Sequence, residues 1–255
     1  MTAPLLQAIN VVKRYGKFTA VNGITLDVLP GTVHSVIGPN GAGKTTLFHT
    51  LTGTVPITEG SIRLQGEEVG HLPDFKRVLK GVARSFQVTS LFLNLSVHEN
   101  LRLAAQGREP SQAFKLWRSA ESLRAACERA DTLLARLNLT AVAQRVAGEL
   151  SHGQQRRLEV GMAMAGQPKI IFLDEPTSGM GIDDIGDMKR LIHGLRSECA
   201  VVLIEHNMDI VMDISDTITV MQLGQVLVEG KPDAIRKDER VRRAYLGSMI
   251  TGGAA

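Results

Sequence analysis

One run of the chain, Gly38-Pro39-Asn40-Gly41-Ala42-Gly43-Lys44-Thr45-Thr46, matches the pattern G-x-x-x-x-G-K-[ST]. Residues of these types at this spacing bind phosphate. Glycines let the backbone curl until several N–H groups, including those of Asn40 and Ala42, point inward at one anion. A helix starting at Lys44 adds the positive end of its dipole at the same place. The Lys44 ammonium would bridge the β- and γ-phosphates of a nucleotide, the Thr45 hydroxyl would ligate Mg²⁺, and Thr46 would add a phosphate contact. This loop speaks for a nucleoside triphosphate and is silent on what the nucleotide drives.

A second cluster stands far downstream. Ile170-Ile171-Phe172-Leu173-Asp174-Glu175 reads as a buried strand ending in two acids. Carboxylates at the C-terminal edge of a parallel strand lie in the crevice where α/β folds bind ligands. There Asp174 can hold the Mg²⁺ shared by the β- and γ-phosphates. Glu175 can act as general base on an attacking water.

The elements that must position these groups are visible in outline. Leu5–Val12, Ile24–Val28, Val33–Ile37, Ile62–Leu64 and Val82–Phe86 are β-prone runs punctuated by Gly23, Pro30 and Gly31. A helix is expected over Lys44–Thr52. From Ser96 to Gly166 the pattern turns helical: Leu116, Ala120, Leu123, Cys127, Ala130, Leu134 and Leu137 recur at spacings of four and three. They predict one amphipathic helix with a buried stripe, and Trp117 beside it reads as core packing. After Gly166 strand and helix alternate again: Lys169–Leu173, Ile182–Arg196, Ala200–Ile204, and a hairpin of Ile218–Met221 with Val226–Val228. A charged helical tail, Asp233–Leu246, follows. Such alternation around a helical block predicts an α/β core with a helical insertion. The basic pairs Arg156-Arg157 and Arg242-Arg243 read as solvated helix faces.

Leu150-Ser151-His152-Gly153-Gln154-Gln155 precedes the acidic strand end. It is similar to the Leu-Ser-Gly-Gly-Gln signature of ABC ATPases. Together with the phosphate loop, Asp174-Glu175 and His206, the order of motifs resembles an ABC nucleotide-binding domain over nearly the whole chain. The resemblance implies a P-loop NTPase with a RecA-like α/β core, an antiparallel β subdomain and a helical subdomain. It implies one domain, residues 1–255. In it, 1–90 and 167–235 form the core and β subdomain, 91–166 the helical insertion with the signature, and 236–255 a helical tail. Tyr15 then corresponds to the aromatic residue that stacks on adenine. Gln87, in Ser85-Phe86-Gln87-Val88, corresponds to the glutamine that contacts Mg²⁺ and the water. His206, in Ile204-Glu205-His206-Asn207, corresponds to the histidine that touches the γ-phosphate. Ser151, Gly153 and Gln154 would meet the ATP of an opposite protomer, with Ser151 as the N-cap of a helix. The active unit would be a dimer closed by two ATPs. His152 replaces a signature glycine, and Gly181, in Ser178-Gly179-Met180-Gly181, replaces the usual acid of the next loop, with Asp183 and Asp184 displaced from it.

Both departures resemble the ATP-binding subunits of branched-chain amino-acid importers. So do Leu95-Ser96-Val97-His98-Glu99-Asn100-Leu101, Glu205-His206-Asn207-Met208 and Arg243-Ala244-Tyr245-Leu246-Gly247. The resemblance implies a second ATPase chain, transmembrane permease subunits, an external solute-binding protein, and a place on the cytoplasmic face of the inner (plasma) membrane. Relatives serving urea, amide or lipopolysaccharide transport are the alternative, and a non-transport ABC ATPase is a further one. The apolar run Val88-Thr89-Ser90-Leu91-Phe92-Leu93 would either accept a short permease helix or close the core.

Composition agrees with these readings. The chain has 255 residues, 44% hydrophobic and 22% charged, which suits a folded globular protein. Aromatics at 4% offer no stacking surface for single-stranded nucleic acid, and a net charge of +3 is too small to imply it. Cys127 and Cys199 match no zinc or disulfide spacing. No apolar run is long enough to span a membrane, and the first residues do not form a secretory signal.

Overall fold

The computed structural model describes residues 3–85, 91–107 and 120–251. Gln87, Val88-Thr89-Ser90, Leu116 and Trp117 lie outside the described residues, as do the readings that rest on them.

β3 (Val33–Ile37), β7 (Ile170–Asp174) and β8 (Ala200–Ile204) are buried at every position. That is the pattern of parallel strands covered on both faces. With β6 (Val82–Arg84), β9 (Thr217–Gln222) and β10 (Gln225–Gly230) they form a sheet in the order β10-β9-β3-β8-β7-β6. All its pairings are parallel except β9 with β10. A second sheet, all antiparallel, has the order β2-β1-β4-β5. It comprises β1 (Leu6–Tyr15), β2 (Phe18–Val28), β4 (Glu59–Leu64) and the short β5 (Glu67–Glu68).

The period-two alternation of the parallel strands divides the core. Ile170, Phe172, Val202 and Ile204 face α1 (Lys44–Thr52) and the antiparallel sheet. Ile171, Leu173, Val201 and Leu203 face a helical layer. That layer holds α3 (Val97–Gln106), α4 (Ala120–Arg136), α5 (His152–Ala165) and α6 (Ile182–Leu195). A third cluster joins Ile37 and Val220 to α7 (Met208–Ile214), α8 (Pro232–Lys237) and α9 (Glu239–Thr251).

Three local expectations are corrected. Among the described side chains the buried stripe runs from Ala126 through Ala130, Leu133 and Leu134 of α4 to Leu137 just beyond it, whereas Leu123 is 43% exposed. The Arg156-Arg157 pair is not a solvated face. Arg157 is buried and bridges Asp184 (3.0 Å) and Asp187 (2.9 Å) of α6, while Arg156 pairs with Glu159 (2.9 Å). The acids that hold Arg157 stand on another helix, so no local pattern announces them. Arg242 and Arg243 are exposed, as expected. Finally, α2 (Asp74–Leu79) is absent from the sequence reading. It is too short to show a 3.6-residue period, and its large apolar residues face outward.

The α4 stripe generates a test. Leu133→Ala should cost about 2–5 kcal/mol and Leu123→Ala no more than about 0.5 kcal/mol. Urea unfolding of the two variants measures the difference, and equal midpoints would contradict this packing.

Candidate active site

Register brings the chemistry together. Val36 of β3 pairs with Ile204 of β8, and Asp174 of β7 pairs with the same Ile204. Three adjacent parallel strands therefore end level, within roughly 10 Å of one another at the usual strand spacing. The phosphate loop leaves β3, Glu205-His206 leaves β8, and Asp174-Glu175 leaves β7. β3 is also where later strands lie on both sides, the switch point at which open α/β sheets bind ligands.

The loop itself is held tightly. Gly38 has φ 152°, and a Cβ there would lie 2.2 Å from the Met221 carbonyl oxygen of β9. No residue with a side chain fits. Ala42 is buried, and its carbonyl accepts from Gly224 N–H at 3.0 Å, tying the loop to the β9–β10 turn. Asn40 and Gly41 are exposed at the tip. Gly43 is the N-cap of α1 and brings no side-chain acceptor, and the first turn holds no acid. The donors that begin α1 are thus left for an external anion. Lys44 is buried, with Nζ donating to Gly38 O (2.7 Å) and Pro39 O (3.0 Å). Burial pushes its ammonium below the ordinary lysine value, against the pull of Glu175 and Asp174. Thr45 is exposed and Thr46 half-buried on the same turn.

Asp174 is buried, and its Oδ2 has no hydrogen-bond partner. Burial first, and the Glu175 charge second, push its carboxyl above the usual range, with Arg84, His206 and Arg156 opposing. An orphaned, buried carboxylate oxygen is a hard oxygen donor, as is the Thr45 hydroxyl at the start of α1, and donors of this kind suit Mg²⁺. Glu175 stands at φ 47°, a backbone region that side chains enter at a cost of about 1–3 kcal/mol. Its N–H is fixed on Ile204 O at 2.9 Å, and its Oε1 lies 2.6 Å from His206 Nε2.

Sequence reasoning missed two supports of this arrangement. Glu205 is buried and accepts from Thr177 N–H (3.0 Å), the Thr177 hydroxyl and His206 N–H (3.2 Å). It locks the strand end after Glu175 to the one that carries His206. Its only sequence signal was its place beside His206. The second is Tyr245 of α9, which packs on the cluster containing Ile37. Burial pushes its phenol up to about 12, and the Gly38 backbone is its hydrogen-bond partner.

The remaining described candidates stand on other elements. Tyr15 is half-exposed at the β1–β2 hairpin, with Lys13 Nζ 4.9 Å from its ring centroid. Gln87 falls outside the described residues. Ser151 is the N-cap of α5 in a reciprocal capping box: its Oγ accepts from Gln154 N–H (3.3 Å), and Gln154 Oε1 accepts from Ser151 N–H (3.0 Å). A Cβ on Gly153 would lie 2.2 Å from Cγ of Asp184, and one on Gly179 would lie 3.3 Å from the His152 ring. The signature histidine thus lies beside Gly179 of the glycine-rich loop before α6, whereas a Cβ on Gly181, the second departure, would meet nothing within 4 Å. Among the described residues no hydrogen bond joins Ser151, Gly153 or Gln154 to the phosphate loop of the same chain.

The Asp174 environment sets a stability prediction. Its folded pKa is raised, so the native state loses stability as pH climbs from the unfolded value through the folded one. Asp174→Asn removes that cost, so without nucleotide its melting temperature should rise by roughly 2–4 °C at pH 7. A melting scan with Mg²⁺ and nucleotide omitted measures it, and a lower midpoint would contradict the electrostatics.

Comparison with known proteins agrees with this geometry. The ABC transporter family matches residues 21–178, and a family described as branched-chain amino acid ATP-binding cassette transporter matches residues 225–249. The high-affinity branched-chain amino acid transport ATP-binding protein BraF of Pseudomonas aeruginosa is 46% identical, over 97% of this chain and 99% of its own. LivG of Escherichia coli, of the same description, is 40% identical over 97% of this chain and 99% of its own. Among solved structures, the ADP conformation of an ATP-binding cassette of an ABC transporter superposes with a TM-score of 0.85 at 30% identity. It covers 96% of this chain and all of that one. With the phosphate loop, the acidic strand end and the capped signature helix in one fold, this chain belongs to the ATP-binding proteins of ABC transporters.

Proposed function

We propose that this chain is the ATP-hydrolysing subunit of an ABC importer of branched-chain amino acids, with Glu175 as its general base. What carries the reading is the Glu175–His206 pair, 2.6 Å apart on strand ends level with the phosphate loop. In this reading the backbone of Gly38, Asn40, Gly41, Ala42 and Gly43 cradles the phosphates, and Lys44 turns from the Gly38 and Pro39 carbonyls to the β- and γ-oxygens. Thr46 adds a phosphate contact, and Tyr15 stacks on the adenine. Glu175 takes the proton of the attacking water at its carboxylate. His206 aligns that carboxylate and meets the γ-phosphate. Thr45, Asp174 and Gln87 would hold Mg²⁺, which when bound neutralises charge on the β- and γ-oxygens.

Ser151, Gly153 and Gln154 serve the ATP of a second ATPase chain, in a dimer closed by nucleotide. Among the described residues none of the three hydrogen-bonds to the phosphate loop of its own chain, which supports this. The cargo rests on the BraF and LivG likeness and on the C-terminal match. An open cleft of about 960 Å³, lined by Phe75, Val78, Leu79, Leu91, Phe92 and Met162 among others, suits a short apolar helix of a permease subunit. Leu91 joins the core and also lines the cleft, and Phe92 is exposed there. The chain would then sit on the cytoplasmic face of the inner membrane, with an external binding protein delivering solute. Among the described residues no helix is long and apolar enough to cross a membrane.

Glu175→Gln should lower hydrolysis by roughly 10²–10⁴-fold while ATP binding persists. Steady-state ATPase and nucleotide titration measure this, and an unchanged rate would sink the assignment. For the cargo, uptake of labelled leucine, isoleucine, valine and urea is followed in cells lacking this chain. Wild type, but not Glu175→Gln, should restore the three amino acids. Restoration of urea uptake alone would move the cargo to that branch.

A further inference from the structure

Arg77 heads the largest fully buried side chains among the described residues. Arginine is seldom buried without an acid beside it. Here the hydrogen bonds go to backbone carbonyls, with the charges of Glu68 and Asp74 acting from nearby: Nε donates to Leu72 O (3.0 Å), Nη1 to Thr50 O (2.8 Å) and Leu51 O (2.7 Å), and Nη2 to Gly70 O (2.8 Å). Thr50 and Leu51 lie in the last turn of α1, where carbonyls run out of helical donors and the dipole favours a cation. Burial pushes the guanidinium down to about 10, so it remains a cation at neutral pH. Gly53, the C-cap of α1, makes the room, since a Cβ there would lie 2.6 Å from Arg77 Nε.

The two ends of this clamp have different neighbours. α1 is a rod of nine residues whose first residue is Lys44. α2 carries Arg77 on its inner side, while Phe75 (61% exposed), Val78 (60%) and Leu79 (61%) look out into the cleft. We propose that Arg77 is a positioning residue that couples the cleft wall to the phosphate loop, by clamping α2 onto the C-terminal carbonyls of α1. The planar guanidinium holds its carbonyls in one fixed arrangement. Displacement of α2 therefore drags the rod, and a nucleotide that fixes the rod fixes α2. The half that concerns a docked permease segment rests on the cleft reading above, and the nucleotide half does not.

The test is hydrogen exchange by mass spectrometry on the full-length chain, with and without saturating MgADP, for wild type, Arg77→Lys and Arg77→Gln. In wild type, MgADP should slow exchange in residues 38–52 and also, by roughly 3–10-fold, in residues 74–79. Arg77→Lys should keep the first effect and lose most of the second, because an ammonium cannot span the same carbonyls. Its KM for ATP should stay within about 3-fold of wild type, since no contact to nucleotide is removed. Exchange in residues 74–79 that ignores MgADP in wild type overturns the proposal. So does equal slowing in both variants. Loss of MgADP binding and of a melting transition in both variants overturns it as well, because Arg77 would then be a structural clamp alone. Failure of the docking reading shows separately, as unchanged exchange of the cleft residues when the chain is co-purified with its permease subunits, and leaves the nucleotide result standing.

Discussion

A triphosphate brings several negative charges to one point, and the fold answers with parallel strands that end level. β3, β8 and β7 deliver, side by side, a loop of backbone donors with Lys44, a histidine, and a pair of acids. A one-residue slip between β8 and β7 would turn Asp174 to the other face of the sheet. The buried alternation of Ile170, Ile171, Phe172 and Leu173 against opposite cores prevents that slip. The catalytic register is thus held by hydrophobic packing rather than by the polar groups that use it.

Those polar groups are held at a cost. Lys44 is buried on carbonyls, Asp174 is buried with an orphaned oxygen beside a second acid, and Glu175 stands in the left-handed region. Each is unfavourable in the chain alone. Glu205 and Tyr245 counter the strain from behind, one by joining two strand ends, the other by reaching the backbone of Gly38.

The signature helix obeys a similar logic at a second place. Ser151 and Gln154 cap α5 mutually, Asp184 covers Gly153, and Arg157 joins α5 to two acids of α6. His152 lies beside Gly179, so the signature turn adjoins the loop before α6 that carries Gly181. The acid displaced from the loop, Asp184, acts within its own chain.

Much of this was legible from residue order alone. β3, α1 and β8 run over the residues expected, and the α5 cap is Ser151, because each carries a local signal: an apolar run, a glycine loop, a capping serine. The short α2, the exposure of Leu123, the burial of Arg157 and the clamp at Arg77 carried none. By itself the sequence determined which groups are candidates for phosphate and metal and which family the chain belongs to, since that chemistry depends on residue type and short spacing. Only the tertiary structure decided which strands end level, which arginines are buried, and which loop touches which helix. Those outcomes depend on partners tens of residues away, and no local spacing encodes them.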